Sequence, residues 1–167
     1  MTQRDGAETK VSPKPATIAM FLTYAVAGLG IYIGFSSVRA DPPTLSTATL
    51  LAVGGGGFLS FVRHSLLHRS DAVRSRWDFG RTNNFQIEVG LANLAWGLLG
   101  VLAVISNWGL AVEAASFLVF GFYISAVALL LGPSLPRADP RSWISTLATG
   151  AFGGTLIWIG FVGMGAA

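Results

Sequence analysis

The chain has 167 residues, of which 52% are hydrophobic and only 11% are charged. A soluble globular domain usually has about 25% charged residues, so this composition excludes an ordinary soluble domain and indicates a membrane protein. The net charge of +3 does not indicate nucleic-acid binding, because the basic residues flank apolar stretches, where they set membrane topology and attract anionic headgroups. The chain has no cysteine, which excludes disulfides and thiolate metal sites.

Five apolar stretches are long enough to cross a bilayer, since a membrane-spanning helix needs about 20 such residues. Residues 1–15 are polar and are predicted to form a disordered cytoplasmic tail, and residues 16–167 a single transmembrane helix-bundle domain. The predicted spans are residues 16–38, 45–63, 86–106, 110–131 and 143–166. We expect the first span to remain as an uncleaved anchor, because its apolar stretch exceeds the roughly 7–15 residues of a signal peptide.

Glycine is concentrated in the first, second and fifth spans. The first span contains Gly30-x-x-x-Gly34 and the fifth contains Gly150-x-x-x-Gly154, a spacing that permits close helix approach. The second span holds four consecutive glycines, Gly54 to Gly57. This run predicts either a groove in which a neighbouring helix packs closely or a hinge that lines a cavity, as in some transporters.

Lys and Arg are distributed very unevenly across these spans. Ten of the eleven fall on one side of the predicted membrane and only Arg39 on the other. Cytoplasmic segments retain excess Lys and Arg, so we predict a cytoplasmic N-terminus and an outside C-terminus. The basic segment from Arg63 to Asn84 is expected to continue the second helix past the membrane surface and then lie at the interface, with Trp77 and Phe79 at headgroup depth.

The third span carries polar side chains that are unusual inside a membrane, namely Gln86, Glu88 and Asn93. We expect Glu88 to face the bundle and pair with His64, His68 or Arg63 of the second span, the alternative being a cap at the helix N-terminus. Together these six residues form the predicted polar intramembrane cluster. Glu113, in contrast, is expected at the outer interface, where its carboxylate reaches water.

His64, His68 and Asp71 share one face of a continuous helix, and two imidazoles with a carboxylate can bind a divalent metal. They are only weak metal candidates, because His-x-x-x-His recurs by chance and interfacial histidines beside arginines explain the same pattern. We therefore predict no metal and no cofactor. The sequence also lacks the nucleophile-elbow, zinc-protease and phosphate-loop motifs of common enzymes.

Two segments of the chain are distinctive: Phe61-Val-Arg-His64 followed by Trp77, and Phe85-Gln-Ile-Glu-Val-Gly-Leu-Ala-Asn-Leu-Ala-Trp-Gly97. Together they resemble a family of small bacterial multi-pass membrane proteins of unknown function. The resemblance covers about residues 58–131 and implies that Gln86, Glu88 and Asn93 form a deliberate polar set. It implies no reaction. The fourth span ends in Leu131-Gly132-Pro133, without the Gly-His pair that the resemblance leads us to expect.

Three hypotheses on function follow for an all-α bundle of five transmembrane helices in a bacterial plasma membrane. The first is a non-enzymatic accessory protein or self-assembling bundle, a homo-oligomer or subunit of a larger membrane complex in contact with anionic headgroups. The second is a small transporter or proton-coupled binding protein that uses Glu88 and the Gly54–Gly57 hinge. The third is a metal- or redox-associated membrane subunit.

Overall fold

The computed structural model describes residues 11–75, 84–132 and 140–167, with side chains from 143 onwards in the last range. These residues form helices and no strand, so the all-α prediction is confirmed. The helices are α1 (Lys14–Ser37), α2 (Ser46–Leu66), α3 (His68–Ser75), α4 (Asn84–Ile105), α5 (Leu110–Leu131) and α6 (Pro140–Ala166).

Four of these helices are long and apolar enough to cross a membrane: α1, α4, α5 and the part of α6 from Trp143 to Ala166. A fifth span is obtained if α2 and α3 are counted as one broken span, in which the chain bends by 88°. The described part of the protein is thus a membrane helix bundle, as predicted. Helix α1 begins at Lys14, inside the predicted disordered tail, while residues 1–10 of that tail lie outside the described residues.

Helix α2 lies at the centre of the bundle, in contact with α1, α4 and α5, and α5 pairs with α6 along its length. Small residues allow α2 to approach its neighbours closely. A Cβ atom added to Gly57 would lie 2.6 Å from the Asn93 carbonyl oxygen and 2.8 Å from the Gly97 Cα atom of α4. The backbones of α2 and α4 are therefore in direct contact there, as expected where small residues meet in a membrane.

The Gly54–Gly57 run lies within a helix that continues without a break to Leu66. The segment Thr49–Gly55 has π-helical hydrogen bonding and passes directly into an α-helical segment, Gly56–Phe61. All four glycines would bring an added Cβ within 3.3 Å of α1 or α4. These close contacts support the interpretation of the glycine run as a groove in which neighbouring helices pack, and not as a hinge.

The hydrophobic core lies between α2, α5 and α6, where Phe117 and Phe120 are fully buried against Val53 and Ile159. At the end of the bundle where α1 finishes, Glu113 is only 6% exposed. The Ser46 hydroxyl donates a hydrogen bond of 2.7 Å to Glu113 Oε1. The expectation that Glu113 reaches water is therefore wrong, because α2 begins directly against the first turn of α5.

Candidate functional site

The bend between α2 and α3 folds an acidic side chain back beneath the end of α2. A second π-helical segment, Val62–Leu66, ends α2, and Leu67 then leaves the helical region with φ −103° and ψ 21°. Helix α3 departs at 88° and turns Asp71 towards the residues that precede the bend. Asp71 is fully buried, with 0% of its surface exposed.

Four side chains surround the Asp71 carboxylate. His64 Nδ1 lies 2.9 Å from Oδ2, and Arg74 Nε lies 2.8 Å from Oδ1. Gln86 Nε2, from the first turn of α4, donates a hydrogen bond of 2.8 Å to Oδ2. Arg63 Nε is 3.8 Å from Oδ1 and completes an ion pair. We call these five residues the Asp71 cluster.

His64 links the Arg63 guanidinium to the Asp71 carboxylate. Its Nε2 atom is in hydrogen-bond contact with Arg63 Nη2. A guanidinium has only donors, so Nε2 must accept, and the imidazole proton resides on Nδ1, which faces Asp71 Oδ2 at 2.9 Å. His64 is thus neutral in this arrangement. With Asp71 ionised and both arginines charged, the cluster carries a net charge of +1.

The surroundings of Asp71 stabilise its ionised form. Burial by itself raises the pKa of a carboxyl group, but the His64 hydrogen bond and the charges of Arg63 and Arg74 outweigh it and hold the pKa of Asp71 well below its usual range. Both carboxylate oxygens already accept a hydrogen bond of 2.8 Å, Oδ1 from Arg74 and Oδ2 from Gln86. Asp71 is therefore a fixed counter-ion that joins three helices.

Hydrogen bonds around the cluster fix the ends of α1 and α4 to the bend. The Ser70 hydroxyl donates to the Ser12 carbonyl at 2.7 Å and accepts from the Ala16 amide at 3.2 Å. The Ser65 hydroxyl donates to the Ile87 carbonyl at 2.9 Å, beside Gly90, whose lack of a side chain leaves room for it. The bend, α1 and α4 thus form one polar end of the bundle.

The structure places the predicted polar cluster differently from the prediction. Arg63, His64 and Gln86 do converge, but on Asp71 and not on Glu88. Glu88 is exposed, and within the described parts of the chain it makes no ion pair or hydrogen bond. The pairing of Glu88 with His64, His68 or Arg63 is therefore wrong. Side chains two positions apart in a helix point about 200° apart around its axis. Burial of Gln86 therefore turns Glu88 away from the cluster.

The weak metal candidates do not form a three-ligand set. His68 Nδ1 lies 2.8 Å from the Ser65 carbonyl oxygen, whereas His64 Nδ1 faces Asp71. No group of three His, Cys, Asp or Glu side chains with metal-binding geometry occurs in residues 11–75, 84–132 and 143–167. The bend at Leu67 destroys the shared helical face from which the metal hypothesis was derived.

Asn93 forms a separate polar contact deeper in the bundle, between α4 and α5. It is only 3% exposed, and its Nδ2 donates to the Val89 carbonyl at 2.7 Å and to the Tyr123 hydroxyl at 3.4 Å. Burial makes an unpaired amide group costly, and the Val89 carbonyl and the Tyr123 hydroxyl supply partners for Nδ2. Asn93 therefore joins α4 to α5 through its side chain and lies apart from the Asp71 cluster.

Asp71 is the residue whose central position the sequence did not reveal. Its spacing to Arg74 is a recognisable i, i+3 ion pair. Its contact with His64 and Arg63 cannot be predicted from sequence spacing, because seven residues of straight helix would separate the side chains by roughly 10 Å. Only the bend makes the contact. Trp77 and Phe79, predicted at headgroup depth, lie outside the described residues.

Comparison with known protein families gives one finding that decides the affiliation. A family of unknown function, DUF6790, matches residues 15–130. The chain belongs to this family. The match runs from the start of α1 almost to the end of α5, so this DUF6790 protein carries the whole Asp71 cluster within the family region, while α6 lies outside it. The predicted resemblance to an uncharacterised family is confirmed. Curated proteins and solved structures give no match.

Proposed function

We propose that this protein is a non-enzymatic helix bundle of the bacterial plasma membrane that assembles through its outer helix faces, with itself or as a subunit of a larger complex. The Asp71 cluster supports a non-enzymatic role. Its carboxylate is fully buried and engaged by His64, Arg74 and Gln86, and its imidazole bridges two charged partners. Such a cluster connects helices, whereas general acid–base catalysis needs a group that reaches substrate.

The observation that carries the assembly proposal is the difference between two sets of glycines. Inside the bundle, Gly57, Gly121 and Gly153 meet backbone atoms of a neighbouring helix. Gly28 on α1 and Gly154 on α6 are exposed, and an added Cβ there would find nothing within 4 Å. Glycine costs about 1 kcal/mol relative to alanine in a helix, a cost that close packing of a second helix offsets.

The surroundings of Gly28 also suit a helix–helix contact. Ala25 and Gly28 are exposed and share one outer face of α1 with the exposed rings of Phe21 and Tyr32, because the four residues follow helical spacing. A partner helix placed there would contact the α1 backbone closely while the two rings pack along its sides. Membrane helices associate chiefly by this kind of van der Waals packing.

The proposed orientation has the N-terminus in the cytoplasm. Lys14, Arg63, Arg69 and Arg74 lie at the end of the bundle where α1 begins and α2 finishes. Arg39 follows the far end of α1, with its guanidinium 4.8 Å from the centre of the Trp158 ring. The basic end would then contact anionic headgroups of the inner leaflet.

The assembly proposal is tested by measuring the mass of the purified protein in mild detergent and in lipid nanodiscs. We expect the wild type to be oligomeric, or to co-purify with a larger partner in fixed ratio. Gly28→Leu and Gly154→Leu each place a bulky group on an open outer face. At least one of them should release a folded monomer.

Ala95→Leu is the matched control, because Ala95 is exposed on α4 and the change adds the same kind of bulk to another outer face. It should leave the assembly intact. A wild type that is monomeric and without a partner in both environments would refute the proposal, as would an oligomer that survives both glycine variants and their combination.

A further inference from the structure

A groove between α4 and α5 opens on the outside of the bundle. Phe85, Val89 and Ala92 of α4 form one wall, and Tyr123, Ala126 and Leu130 of α5 form the other. Its volume is about 480 Å³. Phe85 is 62% exposed and Leu130 is 73% exposed, so the groove is open towards the surroundings of the bundle.

A single carboxylate lies in this otherwise apolar groove. Glu88 lines it, is exposed, and has no ion pair or hydrogen bond in the part of the chain that the structure describes. The arginines of the Asp71 cluster do not compensate it. They converge on Asp71 on the Gln86 side of α4, and Glu88 lies about 200° around the helix from Gln86.

The groove has a charged end and an apolar end. Glu88 is in the second turn of α4, one turn from Ala92, a rise of about 6 Å. On the opposite wall, Leu130 lies near the end of α5 and marks the same end of the groove as Glu88. Tyr123 lies seven residues earlier, about 10 Å deeper in the bundle. The carboxylate therefore lies near the membrane surface, and the groove continues towards the bilayer interior, where Asn93 holds the Tyr123 hydroxyl.

We propose that this groove binds a hydrophobic monocation, an amphiphile with an apolar tail and an ammonium head. The tail would lie between α4 and α5, and the ammonium would pair with Glu88. Phe85, three residues before Glu88 in the same groove, supplies an aromatic ring at the charged end, and aromatic rings attract cations. A phospholipid fits less well, because none of the described groove residues is a cation that would pair with its phosphate.

The test measures binding of radiolabelled decylammonium to the purified protein in phosphatidylcholine nanodiscs, with empty nanodiscs as background. We expect saturable binding to the wild type, competed by unlabelled decylammonium and much less effectively by decanol or decyl sulfate. Glu88→Gln should weaken binding by about tenfold or more, the usual size of a charge-assisted contact. Ala126→Trp should abolish binding by filling the groove while leaving the charge in place.

Asp41→Asn is the matched control, since it removes one negative charge from an exposed position beyond the far end of α1. It should bind like the wild type. The absence of saturable binding above background would overturn the proposal, as would unchanged affinity in Glu88→Gln or equal competition by decanol. The Gly28→Leu variant should bind normally, so failure here and failure of the assembly proposal are distinguishable.

Discussion

At the scale of single residues, the Asp71 cluster concentrates the energetically most consequential contacts at the α2–α3 bend. Placing a charge in a buried site is costly unless partners compensate it. Asp71, at 0% exposure, has Arg63, His64, Arg74 and Gln86 as partners. Each partner depends on the carboxylate in return, so loss of Asp71 affects all four at once.

Asp71→Asn is expected to be strongly destabilising. It leaves Arg63 and Arg74 close together without their counter-ion, and breaking one partner of a buried ion pair typically costs about 3–5 kcal/mol. Thermal unfolding in detergent, followed by circular dichroism, measures the effect. Glu88→Gln removes an exposed carboxylate from the neighbouring helix and should change stability by less than about 0.5 kcal/mol. Equal shifts in the two variants would contradict a structural role for Asp71.

The same residue should make stability depend on acidity. The pKa of Asp71 is held below its unfolded value of about 4, so the folded state releases this proton more readily than the unfolded state. Its contribution is fully present above pH about 4 and is lost as the pH falls through the lower, folded pKa. The melting temperature of the wild type should therefore fall more steeply below pH about 4 than that of Asp71→Asn. Parallel curves for the two proteins would be inconsistent with this linkage.

At the scale of helices, glycine determines how closely α2 approaches its neighbours. Gly57 and Gly97 bring the backbones of α2 and α4 into direct contact. Gly121 and Gly153 do the same for α5 and α6. Side chains in the interior have little freedom to move, so an added methyl group at such a crossing forces the helices apart.

Gly57→Ala is expected to destabilise the bundle by about 1–3 kcal/mol, the usual cost of overpacking. The added Cβ would lie 2.6 Å from the Asn93 carbonyl oxygen, and that obstacle is backbone. Gly150→Ala provides the matched comparison, because its added Cβ meets only Ala128 Cβ at 3.6 Å. That variant should be neutral or gain up to about 1 kcal/mol from helix propensity. Melting temperatures that order the two variants the other way would refute this α2–α4 crossing.

At the scale of the whole molecule, most of the basic side chains of the described residues lie at one end of the bundle, with Arg39 at the other. The start of α1, the end of α2, the whole of α3 and the start of α4 meet there through Ser70, Asp71 and Gln86. Helix α3 lies across this end at 88° to α2, where a short polar helix is expected at a membrane surface. The predicted orientation places this end of the bundle at the cytoplasmic surface of the membrane.

The topology prediction is an N-terminus inside and a C-terminus outside. The chain has no cysteine, so single reporter cysteines can be introduced directly. A cysteine added after Ala167 should react with an impermeant thiol reagent applied to intact cells. A cysteine at Ser75 in α3 should react only after the cells are opened, because excess Lys and Arg retains that end in the cytoplasm. Reversed labelling would disprove the orientation.

Much of the architecture was predictable from local sequence. Long apolar stretches must form helices in a membrane, because only internal hydrogen bonds satisfy the backbone there. Four spans therefore agree with α1, α4, α5 and α6 to within a few residues at their ends. The polar character of Gln86 and Asn93 likewise marked α4 as a helix with buried hydrogen bonds.

The arrangement of the polar side chains depended on tertiary structure. A straight continuation of α2 would align His64, His68 and Asp71 on one face, and the metal hypothesis followed from that assumption. The bend at Leu67 instead turns Asp71 back onto His64 and Arg63. The rotation of α4 then decides between Gln86 and Glu88, burying the first and exposing the second. Composition and periodicity determined that this protein is a membrane bundle of helices, since those features act along the chain. The choice of Asp71 over Glu88 as the buried counter-ion was decided by a bend angle and a helix rotation, which arise only when the helices pack together.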